Sequence, residues 1–283
     1  MSTEIITSGL VKELRDRTGV GMAKCKEALE QTKGNMEEAI AYLRKMGMTS
    51  AAKKEGRTTK EGMVLSYETP KLVAIAEIDA ETDFVVKNDR FQEFAKNIVE
   101  EVALTHPSSL EAFLQQPYSK DKHITVDQYR SLLIQTIGEN IQIRRIAILE
   151  KKPSESIGIY SHMNGKILTA VVLQGAGEET LAREIGMHVA AAAPEYTSPE
   201  EVPQEVLQQE KEIAKEQIKG KPENIIEKIL QGKIQAFYNM VCLTHQKYIR
   251  DDSVSVAEYA KKQGATRGKD VRILRFLRWT AGK

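Results

Sequence analysis

Apolar positions along this chain change their spacing several times, and each change marks an element. Residues 7 to 47 carry them at helical intervals in three blocks punctuated by glycine. Leu10, Val11 and Leu14 end at Thr18-Gly19; Met22, Cys25, Ala28 and Leu29 end before Gly34; Met36, Ala39, Ile40 and Leu43 follow Asn35, with Glu38 as its capping-box partner, and stop at Gly47. Three short amphipathic helices predict a small bundle near the lower size limit for independent folding. Such a bundle cannot enclose an active site, but a shallow apolar surface around Val20, Gly21 and Met22 suits a partner helix; packing against its own chain is the plainer alternative. From Met48 to Gly62 the composition shifts to Ser, Thr, Ala, Lys and Arg, and Ala51 to Arg57 reads as a short helix or tether ending at Gly56.

Two later segments share one plan. Met63 to Tyr67 turns through Glu68-Thr69-Pro70 into the apolar run Leu72 to Ile78, and Ile157 to His162 turns through Asn164-Gly165 into Ile167 to Leu173. The run 72 to 78 is branched and apolar enough for a strand buried on both faces. A helix follows each hairpin. The first spans 89 to 104, with Asp89 as cap, Gln92 as its partner, and Phe91, Phe94, Ala95, Ile98, Val99 and Val102 on one face. The second spans about 179 to 192, with Leu181, Ile185, His188 and Val189 inward. Between the copies come a helix over Val126 to Ile137 and a strand over Ile141, Ile143, Ile146 and Ile148, assigned to the second sheet. Helices on one face of antiparallel sheets predict an α+β class with two related hairpin-plus-helix units.

Pro199 to Gly220 is rich in Glu, Gln and Lys with a thin apolar seam of Val202, Val206, Leu207, Ile213, Ala214 and Ile218. Pro222 opens a second helix with Ile225, Ile226, Ile229, Leu230, Ile234, Phe237 and Tyr238, giving a projecting antiparallel coiled-coil hairpin suited to dimerisation or to reaching a partner, or else a solvated buttress. A helix opened by Ser255 and Glu258 and a strand from Val271 to Trp279 close the chain. From Lys261 onward eight Lys or Arg face one acid, Asp270, with Phe276 and Trp279 interleaved, which fits an RNA strip less well than a charged sheet edge.

Composition narrows the classes. The net charge of +1 over 283 residues gives no global attraction to nucleic acid or acidic membranes. Cys25 and Cys242 each lie in an apolar helical pattern, so reduced core thiols are favoured over a disulfide or zinc site. No apolar run approaches a bilayer span, and Met1 to Ile6 reads as neither a secretory signal nor a transit peptide, so a cytoplasmic protein is expected.

The stretch Asp79-Ala80-Glu81-Thr82-Asp83-Phe84-Val85-Val86 joins two firm elements as an acidic turn, and the second copy has no counterpart of Asp83-Phe84. Its carboxylates imitate the start of a calcium loop, but Phe84 stands where a turn glycine belongs and Arg90 where a bidentate Glu belongs. No nucleophile, phosphate-cradling glycine loop or histidine lies nearby to make it catalytic. Phe84 therefore either plugs the core or stands out for a partner. His162, two residues before Asn164, is at most a contact residue, with no metal ligands at suitable spacing.

Leu10 to Met22, then Cys25-Lys26-Glu27-Ala28-Leu29, then Thr82-Asp83-Phe84-Val85 strongly resemble the elongation factor Ts family, and the resemblance runs nearly the whole chain. It implies a ubiquitin-associated-like three-helix module with its tether over 1–55 and a core over 56–140 and 141–250. It also implies a coiled-coil protrusion at about 199–240 and a C-terminal module over 251–283. The implied activity is guanine-nucleotide exchange on the translation GTPase elongation factor Tu, without covalent chemistry, cofactor, bound metal or direct nucleotide binding by this chain. The implied site is Thr82, Asp83, Phe84 and Val85 near the magnesium and nucleotide of the GTPase domain, with Val20, Gly21, Met22 and His162 as partner contacts. Asp79-Ala80 and Val86-Lys87 depart from the family's usual flanks of the acidic pair. An RNA-associated scaffold using the basic C-terminal strip is the alternative, and a homodimer would use the coiled-coil hairpin.

Overall fold

Capping side chains and glycines set most of the helix ends in the N-terminal bundle. The computed structural model describes residues 6–218 and 223–283, with 223–225 as backbone only. The start of the chain, Gly220 and Pro222 thus lie outside the described residues, as does the side chain of Ile225. Thr7 accepts from Leu10 N to open α1 (Ser8–Thr18), which ends in the left-handed Gly19; Gly21 opens α2 (Met22–Gln31); Asn35 accepts from Glu38 N to open α3 (Met36–Lys54). The third helix does not stop at Gly47. That glycine is helical and buried, and a Cβ there would lie 3.4 Å from the Ser131 carbonyl oxygen, so the residue permits close helix approach where the sequence suggested a terminator. The helix carries on to Lys54 and places Ala51 in the larger core.

Contacts divide the chain into two units, one holding residues up to Glu150 with Asn164–Lys166 and Thr280–Lys283, the other Lys151–Met163 and Ile167–Trp279. In the first, β1 (Glu61–Glu68) pairs antiparallel with β2 (Leu72–Ala80), every residue of which is buried. A one-turn helix α4 (Asp83–Val86) leads into α5 (Asp89–Thr105), whose predicted apolar face is wholly buried. The cap of α5 is Asn88, accepting from Arg90 N, in place of Asp89; the Gln92 amide reaches the Val86 carbonyl. Then come α6 (Leu110–Gln115), β3 (Pro117–Tyr118), β4 (Asp121–Thr125), α7 (Val126–Ile137) and β5 (Ile141–Glu150).

Strand β5 belongs to the first sheet, contrary to expectation: the order is β1-β2-β5. Ile141 and Ile143 face Ala80 and Ile78, whereas Ile146 and Ile148 face Ala76 and Ala74, with the register slipping between Glu77 and Ile78. A bulge at Arg144 breaks the period of two, and this is why the isoleucines step by two, three and two.

The second unit contains β6 (Glu155–His162), β7 (Ile167–Gln174), α8 (Glu179–Ala192), α9 (Gln204–Gln217), α10 (Glu223–Val241), β8 (Lys247–Tyr248), β9 (Asp251–Ser255), α11 (Val256–Ala265) and β10 (Arg272–Thr280). Its sheet runs β10-β7-β6, so β10 occupies an edge and takes the place β5 has in the first sheet. Pro199 opens a separate 3-10 turn, Pro199–Glu201, and α9 begins only at Gln204. The α9/α10 seam packs Val202, Val206, Leu207, Phe237, Tyr238 and Val241, while Ile213, expected within it, is exposed.

The duplication goes deeper than the hairpins. Tyr118, Asp121, Thr125, Val126 and Tyr129 recur at identical spacing as Tyr248, Asp251, Ser255, Val256 and Tyr259. Each tyrosine pair stacks, with ring centroids 4.6 Å and 4.0 Å apart, and Thr125 and Ser255 each form a full capping box. A buried polar group on the helix that follows each hairpin, α5 or α8, receives the N–H after the first tyrosine: Glu101 accepts from Ser119 N at 3.0 Å, and His188 Nδ1 from Ile249 N at 3.2 Å. His188 is held neutral by burial, which lowers its pKa, with Nε2 on Gln246. The coiled-coil hairpin is thus an insertion between α8 and β8, where the first copy carries only α6.

Helix α8 lies so close to β6 that a Cβ on Gly158 would overlap the backbone of Ala182 and Arg183. Gly158→Ala should destabilise the fold by about 2 kcal/mol or more, since backbone cannot move aside cheaply. In thermal unfolding, Gly232→Ala, in open space on α10, serves as the control and should gain about 0.5–1 kcal/mol. Among the described residues no helix is long and apolar enough to cross a membrane.

Candidate functional site

The fully buried β2 ends at Ala80, and the chain leaves it into a turn held from two sides. Asp79 and Ala80 are not part of an acidic loop: both are buried in β2. Glu81 Oε1 accepts from Asn140 N at 2.6 Å and from Arg57 at 3.4 Å. Thr82 caps α4 by accepting from Val85 N, and both its backbone N–H and its hydroxyl donate to the Glu139 carboxylate, at 3.1 and 2.9 Å. The carboxylates whose spacing imitates a calcium loop are therefore scattered. Asp79 is internal, Glu81 is bound to backbone, and Asp83 faces solvent; among the described residues no three His, Cys, Asp or Glu side chains gather to hold a metal.

Within α4 the apolar residues divide their tasks. Val85 is only 7% exposed and Val86 packs against the same core, so these two are the plug. Phe84 is 80% exposed, and the core-plug reading of that ring is thereby removed. The benzyl group is thus left in water between anchored neighbours, available for contact. Asp83 Oδ2 accepts from Lys87 Nζ at 2.7 Å, and this hydrogen bond holds the Asp83 carboxyl below its ordinary range while raising the Lys87 ammonium. The acid is ionised at neutral pH beside the exposed ring.

The other sequence-derived contact residues are placed less uniformly. Val20 is completely buried in the bundle core, so it shapes the α1–α2 corner without offering surface; Gly21 and Met22 are exposed, Met22 at 40%. The corner is tied to the body by Arg90, which donates to the Gly19 carbonyl at 2.7 Å. His162, in the second unit, is exposed beside the Tyr160 hydroxyl, 3.0 Å from its Nδ1, and is followed by Met163, which is 70% exposed at positive φ. The basic C-terminal strip has partners of its own: Arg267 and Lys269 bind the buried Glu178, Arg275 binds Glu155, and Arg272 binds Asp270. Charges committed in this way are poorly placed to grip a phosphate backbone.

Comparison with known proteins decides the affiliation. A family model described as elongation factor TS matches residues 81–283. The elongation factor Ts of Protochlamydia amoebophila (strain UWE25) is 59% identical over 279 residues, 98% of this chain and 99% of its own length. The chain belongs to the elongation factor Ts family. Further members from Chlamydia felis (strain Fe/C-56) and Chlamydia caviae are 44% and 42% identical over 273 residues, in each case 96% of this chain and 97% of the relative. The family match makes the chain a translation elongation factor and begins at the residue before Thr82, so the Phe84 turn falls inside it while the three-helix bundle precedes it. The Thr82 and Asp83-Phe84 positions were legible as a motif. Glu139 was not: it sits in a loop after Gly138 with no periodic signal, and only the fold brings it to Thr82.

Proposed function

We propose that this chain releases GDP from elongation factor Tu by inserting the Thr82–Val85 turn beside the magnesium and nucleotide of the GTPase domain. One observation carries this reading: Phe84 stands 80% exposed on a turn whose two ends are fixed. A guanine nucleotide is held largely through its phosphates and their magnesium, and magnesium tolerates little departure from octahedral oxygen geometry. A ring wedged into an apolar slot next to that site moves the loops that support the ion and the phosphates. Asp83, ionised and adjacent, adds repulsion toward phosphate or competes for a hydrogen-bond donor. No bond is made or broken in this chain, so its role is that of an exchange factor. Met22 at the bundle corner and His162 in the second unit supply further contacts on the same partner.

The test is to mix the full chain with elongation factor Tu carrying a fluorescent GDP and excess unlabelled nucleotide. Release should accelerate, with Asp83→Ala reducing the acceleration by about tenfold through loss of one charged contact. Linkage requires that GDP lower the affinity of the chain for the GTPase by the same factor by which the chain lowers that of GDP. An unchanged release rate in the presence of the chain removes the reading.

A further inference from the structure

The two loops that meet beneath the Phe84 turn exchange hydrogen bonds reciprocally. Glu81, on the loop after β2, accepts from Asn140 N at 2.6 Å; Glu139, on the loop before β5, accepts from Thr82 N at 3.1 Å and from the Thr82 hydroxyl at 2.9 Å. Each glutamate takes the N–H of the residue that follows the other glutamate. Asn140 is fully buried, and its amide donates to the carbonyls of Arg57 at 2.9 Å and Glu55 at 3.3 Å, so the latch is also pinned to the segment after α3.

The second unit latches the same pair of loops in its own copy of the fold with opposite chemistry. There the loop before β10 supplies cations: Lys269 Nζ donates to the Ala176 carbonyl at 2.6 Å and to Glu178 at 3.0 Å, and Arg267 donates to Glu178 at 2.6 Å. A polar latch between these loops is therefore a feature of the duplicated architecture. In the second copy it secures the start of α8, whereas in the first it lies directly under an exposed aromatic residue.

We propose that Glu139 is a positioning residue for nucleotide exchange, holding Thr82 so that Phe84 is presented in one orientation before the GTPase arrives. This inference rests on the reading of Phe84 as the acting side chain. Val85 anchors the far end of α4 in the core, and Glu139 anchors the near end; with the carboxylate gone, the turn pivots on Val85 and its ordering cost falls on the complex. A wedge that must be ordered during insertion loses most in the step where nucleotide leaves, and less in the initial docking, which the rest of the chain sustains.

Two readouts on the full-length chain test this. In the absence of any partner, Glu139→Ala should speed amide hydrogen exchange at Thr82 about tenfold or more, because its acceptor among the described residues is removed. In GDP release from elongation factor Tu, the same substitution should lower the rate at saturating chain by roughly tenfold while shifting the half-saturating concentration less. Glu139→Gln, whose amide oxygen still accepts from Thr82, should recover most of both. If Glu139→Ala does not fold, Thr82→Val keeps the N–H and deletes the hydroxyl, and should give a partial loss of rate at saturation. Wild-type Thr82 exchange in Glu139→Ala, or a wild-type saturated rate in either variant, overturns the inference. Failure of the unmodified chain to accelerate release overturns the functional reading instead, while the Thr82 exchange measurement still decides whether Glu139 fixes the turn.

Discussion

Phe84→Ala should remove nearly all acceleration of GDP release while leaving the unfolding free energy within about 0.5 kcal/mol of the unmodified chain. The two halves of this result come from the same geometry. The ring is 80% exposed, so deleting it forfeits almost no packing and opens no cavity. In the complex the same ring would pass from water into an apolar slot, where a central aromatic anchor is worth about 2–4 kcal/mol, a loss of roughly thirtyfold to a thousandfold in rate. Neighbouring Val85→Ala should behave in the opposite manner. Its side chain is in the core, so it should lower thermal stability and affect exchange only through the fold. Stopped-flow release with both variants, beside their melting curves, separates a ring that acts on a partner from one that holds up the body. A Phe84→Ala chain that exchanges normally, or one that unfolds, removes the wedge.

Much of this was legible in the linear pattern, and what was not has identifiable causes. The apolar face of α5 is complete as read, because a period of 3.6 over five turns leaves little ambiguity. The α+β class and the hairpin duplication also follow directly from the spacing. Sequence distance favours pairing β5 with the hairpin that follows it, whereas pairing with the preceding β2 needs the chain to return across four helices, α4 to α7, and the small β3–β4 pair. The tyrosine repeat that would have corrected this is sparse, five positions in twelve, and carries no simple period. Gly47 suggests a helix end because that is glycine's usual role; the proximity of Ser131 and Gln135 shows why a glycine fits inside α3. At the Thr82–Val85 turn the motif is plain in the sequence. Pattern alone could not say which of Phe84 and Val85 faces inward, since a single helical turn is too short to show a period.

The turn that carries the family motif is held on both sides of its exposed ring. Val85 and Val86 pack into the core, Thr82 is bound to Glu139 at the entry, and Asn88 starts the next helix, while Phe84 between them is exposed. Duplication helps explain this economy. The second copy, with Gly175, Ala176 and Gly177 ahead of Glu178, spans the same junction without an exposed aromatic residue, so the first copy's turn is an elaboration upon a frame stable without it.

Asp79→Asn should stabilise the chain, and the gain should grow with pH. Asp79 and Glu77 lie on one face of the buried β2, only two residues apart. Glu77 is paired with Arg145, and Arg144 lies near Asp79, whereas the backbone N–H of Gly282 is shared between Glu77 Oε1 at 3.3 Å and Asp79 Oδ1 at 3.2 Å. Burial, reinforced by the charge on Glu77, pushes the Asp79 carboxyl up to about 7. Its unfolded counterpart ionises near the ordinary carboxylate value, so between about pH 4 and pH 7 the folded chain retains a proton that the unfolded chain has released. Stability from this group therefore falls as pH rises through that window, and the whole loss is in place above pH 7. An asparagine has no proton to lose, and its carbonyl oxygen still accepts from Gly282. The variant's advantage should be small near pH 4 and reach about 4 kcal/mol by pH 8, read from denaturant unfolding across pH. A gain independent of pH would place the effect in packing, and a loss at pH 8 would mean that the carboxylate is ionised and needed by Arg144.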